Sequence, residues 1–338
     1  MQETLDQHSR PLKSLRLSVT DRCNLRCTYC MPEERYSWLK KNLILSFEEI
    51  TRLVRIYRDL GVDRVRITGG EPLLRQDLPR LIEQLYALGL KEIALTTNGV
   101  LLEQHHESLR QAGMSRFTVS LDAVDPKTFE GMAQRNELRR TVAGIRSVAH
   151  SPGLKLDSVV LKGKNDGEIL PLLDFAYEVG AEIRFIEYMD VGGATRWKGD
   201  EVYTQDEMLE RIEKARGPVE ALPGRGSAPA ARFRLSSGQV FGIIASTTRP
   251  FCGSCDRLRL TADGQLLTCL YARTGRDVRK LLRSELSDQE ISERLSSHWR
   301  ERNDRGAEHR LTLNRRGPLA NVIELQENLH LEMHTRGG

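Results

Sequence analysis

The segment Cys23-Asn24-Leu25-Arg26-Cys27-Thr28-Tyr29-Cys30 constrains this chain more than any other stretch, because it sets three cysteines within eight residues, with gaps of three and then two. It directly follows an apolar, strand-like run, Leu15-Arg16-Leu17-Ser18-Val19. Three thiolates so close together suit three irons of a cubic iron–sulfur cluster, a group normally held by four cysteines. The fourth iron is then open to another ligand, and an open coordination position marks a catalytic metal site rather than a structural one. Two plainer readings stand beside this one. Disulfides belong to small secreted scaffolds, whereas the start Met1-Gln2-Glu3-Thr4-Leu5-Asp6 has no apolar signal core and a chain of this length needs no staples. A structural zinc site prefers four tightly paired ligands, and the nearest histidine, His8, lies outside the cluster.

The 338 residues suffice for one large domain and a smaller one. With 51 Lys+Arg against 47 Asp+Glu, the net charge of +4 is too mild to indicate a nucleic-acid partner. No apolar run approaches the length needed to span a bilayer. Clustered, reduced cysteines and the lack of a targeting segment point to the cytoplasm. The charged stretch 273–305 reads as a solvated helical face.

From residue 15 to about 190, short apolar or β-branched runs alternate with helix-like segments. The runs are Leu15–Val19, Arg64–Thr68, Glu92–Thr96, Arg116–Leu121, Lys155–Leu161 and Ile183–Glu187. Gly61, Gly89, Gly113 and Gly180 close four of the helices, where glycine supplies a left-handed terminal residue. A capping box, Ser46-x-x-Glu49, opens the first helix, with Phe47, Ile50, Leu53, Val54 and Tyr57 at helical spacing. Such alternation predicts an α/β fold with a parallel sheet and crossover helices. Six units are too few for a closed eight-fold barrel, and periodicity alone does not separate an open barrel from a flat doubly wound sheet. Beyond 190 the texture changes to a second capping box (Thr204-x-x-Glu207), a loose linker at 222–229, two hairpin-like stretches (Arg232 to Ala245, Leu258 to Leu270) and charged helices. The expected division is 1–190 and 191–338.

Cys252-Gly253-Ser254-Cys255, followed by Cys269 after thirteen intervening residues, uses every remaining cysteine. Alone this second triad also reads as a zinc knuckle or a redox pair. Beside the first, a second three-cysteine cluster with its own open iron is the simpler account. Further motifs run almost end to end. They are Arg10-Pro11-Leu12, the Ser18-Val19-Thr20-Asp21-Arg22-Cys23-Asn24 approach, the Cys30-Met31-Pro32 exit, Arg66-Ile67-Thr68-Gly69-Gly70-Glu71-Pro72, Thr96-Thr97-Asn98-Gly99, Ser120-Leu121-Asp122, Lys162-Gly163-x-Asn165, Arg184-Phe185-Ile186-Glu187-Tyr188-Met189 and Pro250 through Leu260. Together these resemble the GTP 3′,8-cyclases of molybdenum-cofactor biosynthesis, the MoaA family of radical S-adenosylmethionine (SAM) enzymes. The lead-in Met333-His334-Thr335-Arg336 to the terminal glycines departs from the family's usual form.

The resemblance implies an open, six-unit partial TIM barrel with a C-terminal α+β extension, two 4Fe-4S clusters and SAM. Cys23, Cys27 and Cys30 would hold the first cluster, whose open iron is chelated by the SAM amino and carboxylate groups. Cys252, Cys255 and Cys269 would hold the second, whose open iron faces guanine. Tyr29, Gly70, Ser120 and Met189 are implied as SAM contacts. Arg16, Arg66, Thr97, Lys162, Arg257, Leu258 and Arg259 are implied for GTP, and Arg257, Arg259, Gly337 and Gly338 as catalytic. The implied reaction removes the ribose 3′ hydrogen with a 5′-deoxyadenosyl radical, joins C3′ to C8 of guanine and consumes another electron. Implied partners are a cyclic pyranopterin monophosphate synthase downstream, a flavodoxin or ferredoxin electron donor, and a second copy of the chain.

The arginines also carry an independent argument. Arg64 and Arg66 alternate with Val65 and Ile67, Arg16 with Leu15 and Leu17, and Arg257 and Arg259 with Leu258 and Leu260. Arginine on the inner face of a barrel strand needs an anionic partner, and a triphosphate matches planar guanidinium forks. The chain has no Gly-x-x-x-x-Gly-Lys-Ser/Thr loop and no His-Glu-x-x-His motif. Two alternatives remain at this level. A peptide maturase with two clusters tends to carry more cysteines, and a non-enzymatic metal protein binding RNA would lose affinity steeply with salt.

Overall fold

The structure is a computed structural model that describes residues 3–224 and 226–337. Six strands carry the repeating pattern: β1 (Ser14–Ser18), β2 (Arg64–Thr68), β3 (Glu92–Thr97), β4 (Arg116–Ser120), β5 (Lys155–Val160) and β6 (Glu182–Glu187). Between them lie α1 (Phe47–Asp59), α2 (Leu78–Tyr86), α3 (Leu102–Gln111), α4 (Pro126–Ala133), α5 (Leu138–Ser147) and α6 (Ile169–Glu178). Helix α1 begins where the sequence signals it. Ser46 Oγ accepts from Glu49 N at 3.2 Å and Glu49 Oε2 accepts from Ser46 N at 2.7 Å. The four closing glycines all have positive φ, from +65° to +116°.

The region after 190 begins with α7 (Gln205–Arg216), capped by Thr204 and Glu207. It adds β7 (Val219–Leu222), β8 (Ala231–Leu235), β9 (Val240–Ile244), β10 (Arg257–Leu260), β11 (Gln265–Leu267) and β12 (Arg276–Asp277). The helices α8 (Val278–Leu282), α9 (Asp288–Arg300), α10 (Gly306–Leu311), α11 (Val322–Glu327) and α12 (Met333–Arg336) follow.

Both expected hairpins form, yet each also extends the central sheet. Strand β10 pairs parallel with β1, and β9 pairs parallel with β6. Eight adjacent strands, in the order β10, β1 to β6, β9, therefore run parallel within one open, twelve-stranded sheet. Local signals read a hairpin from its turn, but its other edge finds a partner far along the chain, Gly242 beside Arg184 and Arg259 beside Arg16, and no periodicity encodes that.

The alternation in each strand decides which face is core. Leu15, Leu17, Val65, Ile67, Leu258 and Leu260 are at most 1% exposed and join Ile50, Leu53 and Val54 of α1 in the main apolar cluster. The residues between them face the other way, into the concave side. Among the described residues no helix is long and apolar enough to cross a membrane.

Candidate active site

A cavity of about 340 Å³ opens on the concave side, within the range of small-molecule sites. Its wall includes residues at or beyond the C-terminal ends of the parallel strands: Gly69 and Gly70 after β2, Thr97 and Asn98 at the end of β3, Ser120 ending β4, and Met189 after β6. All six cysteines line it as free thiols. The strand ends are where such folds collect their chemistry.

The first triad sits on the loop after β1, and the glycine motif after β2 holds that loop in place. Gly70 N donates to Thr20 O at 2.8 Å and Glu71 N to Arg22 O at 2.7 Å. A Cβ on Gly70 would lie 2.3 Å from Arg22 O, so glycine is required there by the cysteine loop itself, before any ligand approaches. Glu71 is fully buried and accepts from Thr97 Oγ1 (2.7 Å), Asn98 N (2.7 Å) and Leu73 N (3.0 Å). Burial pushes its carboxyl up to about 7. Asn98 Nδ2 in turn donates to Asn24 Oδ1 at 2.7 Å, between the first two cysteines of the triad. Burial raises the thiols as well, Cys23 to about 11 and Cys27 and Cys30 further still. A metal-bound thiolate sheds that proton.

Tyr29 Oη donates to Asp122 Oδ2 at 2.7 Å, and Asp122 Oδ1 accepts from Val159 N at 2.9 Å. This fixes the tyrosine ring between the second and third cysteines of the triad. Gly193 closes the far side of the loop, where an added Cβ would fall 1.9 Å from Cys30 O.

Strand register assembles the cationic wall. Arg259 of β10, Arg16 of β1 and Arg66 of β2 are direct neighbours across three parallel strands. All three line the cavity. Burial, with mutual repulsion adding to it, pulls Arg16 well below the ordinary arginine value, and pulls Arg66 and Arg259 to about 9. Among the described residues Arg66 Nη1 donates only to hydroxyls, Thr96 Oγ1 at 3.2 Å and Thr118 Oγ1 at 3.0 Å. Arg16 has no hydrogen bond or ion pair with any described residue. Arg257 lies over the Phe251 ring, 4.8 Å from its centroid.

Two carboxylates also line the wall, and both are engaged. Asp157 holds Arg184 in a two-pronged pair at 2.6 Å and 2.6 Å. Glu187 accepts from Gln205 N, Thr247 N and Thr248 N at 2.8–3.0 Å. Among the described residues the cavity thus holds an excess of buried positive charge, which calls for an anion.

Six cysteines in two separate triads on one wide cavity suit polynuclear groups. No group of three or more His, Cys, Asp or Glu among the described residues is arranged to hold a single metal ion. In the second triad, burial raises Cys252 and Cys269, while Cys255 is pulled down to about 6 because Arg257 and Arg302 outweigh its burial.

Comparison with known proteins decides the family. Residues 17–176 match the radical SAM superfamily, and residues 181–308 match Molybdenum Cofactor Synthesis C. GTP 3′,8-cyclase 1 of Mycobacterium tuberculosis is 49% identical over 340 aligned residues, covering 98% of this chain and 95% of that one. The chain belongs to the GTP 3′,8-cyclase family. A cyclase of Acidothermus cellulolyticus is 44% identical over 90% of this chain and 88% of its own. Among solved structures, Streptococcus suis SuiB bound to S-adenosylmethionine superposes with a TM-score of 0.64 at 17% identity, covering 91% of this chain and 72% of that chain, which shows a shared fold.

In this cyclase-family chain most residues expected at the site meet in the cavity: the six cysteines, Tyr29, Gly70, Ser120, Met189, Arg16, Arg66, Thr97, Arg257 and Arg259. Others stand apart from the cavity or are already committed to a partner. The Lys162 ammonium is ion-paired with Glu207 on the surface and is absent from the cavity wall. Leu258 is 1% exposed and faces the core. The Thr97 hydroxyl is committed to Glu71. Gly337 O accepts from Arg259 Nη1, and Gly338 lies outside the described residues.

The tail is anchored by its atypical lead-in. Arg336 is fully buried and donates to His330 O at 2.7 Å and Ala272 O at 3.0 Å. His334 is 2% exposed, with Tyr36 and Trp38 ring centroids at 5.3 and 5.6 Å. Sequence reasoning missed the Asp157–Arg184 pair. Its signal was present, since Arg184 alternates with Ile183 and Phe185 as Arg66 does with its neighbours.

Proposed function

We propose that this cavity converts GTP to (8S)-3′,8-cyclo-7,8-dihydroguanosine 5′-triphosphate, the first step of molybdenum-cofactor biosynthesis. The observation that carries the reading is the Arg259–Arg16–Arg66 row, a cationic wall with no ion-pair partner among the described residues, sharing one cavity with both cysteine triads. Cys23, Cys27 and Cys30 would hold the SAM-binding 4Fe-4S cluster, and Cys252, Cys255 and Cys269 the second. When bound, a reduced cluster with SAM supplies a carbon-centred radical able to take a hydrogen atom from an unactivated C–H bond.

The chain's own residues bind, orient and enclose. Tyr29, held by Asp122, and the Gly70 backbone, Ser120 and Met189 border the SAM side. Arg16, Arg66, Arg257 and Arg259 take the triphosphate and the substrate end near the second triad, as distributed cations in place of a phosphate-binding loop. Low dielectric strengthens every such contact. The tail carbonyl at Gly337, received by Arg259, helps exclude water from the same space.

Residues 1–190 then form the SAM-cleaving part, and 191–338 the part that holds substrate and the second cluster. The account includes a cytoplasmic location, hand-off of product to a cyclic pyranopterin monophosphate synthase, reduction by a flavodoxin or ferredoxin, and a homodimer.

The test is an anaerobic incubation of reconstituted, reduced protein with SAM, with and without GTP. GTP loss in step with 5′-deoxyadenosine and a cyclised nucleotide is the expected result. Deoxyadenosine without GTP loss would overturn the substrate, and neither product from protein carrying about eight irons per chain would overturn the reaction.

A further inference from the structure

Behind the second triad, on the side away from the cavity wall, lies a buried charge network. Asp6 Oδ2 accepts from Arg10 Nε at 2.6 Å and lies 3.3 Å from Arg302 Nη1. These side chains are almost completely enclosed, at 2% exposure or less. Both guanidiniums also reach the cysteine loop. Arg10 Nη1 donates to Cys252 O at 2.9 Å and to Asp304 O at 2.8 Å. Arg302 Nη1 donates to Cys255 O at 2.8 Å.

The third cysteine is reached through Asp304, whose carboxylate accepts from the hydroxyl of Thr268, the residue before Cys269. Trp299, at the end of α9, completes the assembly. Its Nε1 donates to Arg10 O at 3.2 Å, and its ring lies 4.5 Å from the Arg302 guanidinium carbon.

Two buried cations share one fully enclosed carboxylate, with the part-exposed Asp304 carboxylate 3.9 Å from Arg302 Nε as a longer second pair. For stability alone this is a poor bargain, because apolar side chains of similar volume commonly serve as well or better. Its place is what explains it: charged donors grip the carbonyls of two ligand cysteines, and Asp304 braces the third. Outer groups of this kind orient metal ligands, and nearby charge and hydrogen bonds set cluster potentials.

We propose that Asp6, Arg10 and Arg302 are the positioning residues of the second iron–sulfur site, fixing its ligand loops and setting two buried guanidiniums against the ligand backbone. This rests on the reading that the second triad holds a cluster. The N-terminal segment, remote in sequence, is thereby part of the second site.

The experiment uses the full chain, anaerobically reconstituted, as wild type, Cys255→Ala, Arg10→Met, Arg10→Lys and Arg302→Gln. Iron per chain, the electron paramagnetic resonance spectrum of the reduced protein, the potential of each cluster, melting temperature and deoxyadenosine formation are read together. Wild type should carry about eight irons and Cys255→Ala about four. Wild type with only about four overturns the underlying two-cluster reading. With that reading intact, folded Arg10→Met and Arg302→Gln should lose the second-cluster signal or show its potential shifted to more negative values, while the first cluster still cleaves SAM. Arg10→Lys keeps the charge but not the fork, so it should restore the potential more than the spectral shape. A lowered melting temperature with an unaltered second-cluster spectrum and potential is what a purely structural role gives, and it overturns the proposal. Arg10→Lys, the mildest change, decides the matter if the other two do not fold.

Discussion

A guanidinium set between two others is comfortable only when something negative joins it, and Arg16 is in that position. Arg16→Met should leave the melting temperature of the ligand-free protein unchanged or higher, since it removes a repulsive buried charge. The same change should weaken GTP binding by about tenfold or more, given that a hydrogen bond to a charged group contributes roughly 1.5–3 kcal/mol. Calorimetry and thermal shift check both halves, and a lower melting temperature with unaltered affinity would contradict the account. Thr97 behaves differently because its hydroxyl serves Glu71. Thr97→Val strips a donor from a buried carboxylate at a cost of about 1–3 kcal/mol, so first-cluster iron and SAM cleavage should fall while KM for GTP holds. Lys162→Ala, which breaks a surface pair with Glu207, should leave KM for GTP within about twofold. Much of this scale was legible in the sequence: arginine alternating with leucine or isoleucine announces a charged inner face. What stayed hidden was commitment, because Thr97 and Lys162 read as ligand groups until their partners are seen.

At the scale of elements, local chemistry wrote most of the helices and strands. The Ser46 and Thr204 capping boxes and the closing glycines act within four residues, so the sequence announces them. Edge pairing is different, since β9 and β10 dock on β6 and β1 through backbone groups that every residue carries. The C-terminal segment is pinned in a similarly non-local way. Asp190, fully buried after β6, accepts from Tyr271 Oη (3.0 Å), Arg310 Nε (2.7 Å) and Arg316 Nε and Nη2 (2.9 and 2.8 Å). Asp190→Asn should destabilise the protein by about 3–5 kcal/mol by leaving two arginines uncompensated, seen as a lower denaturation midpoint. Burial pushes this carboxyl up, but Arg316 and Arg310 more than offset it and hold it below 3.8. Its folded value is depressed, so its contribution is complete above about pH 4 and disappears as pH falls through the lower folded value. The wild-type advantage over Asp190→Asn should therefore be constant from pH 5 to 8 and shrink only in strong acid.

For the whole molecule, the active cavity exists because both ends of the chain return to one sheet. Strand β1 brings the first triad and Arg16, β10 brings the second triad and Arg259, and register sets those arginines side by side. The central claim is that one substrate lies between the two triads with its ribose toward the first and its triphosphate on the arginine row. The most direct measurement is turnover of GTP deuterated at C3′, followed by mass analysis of the 5′-deoxyadenosine. The account predicts one deuterium transferred per nucleotide cyclised. GTP consumption with unlabelled deoxyadenosine would contradict it.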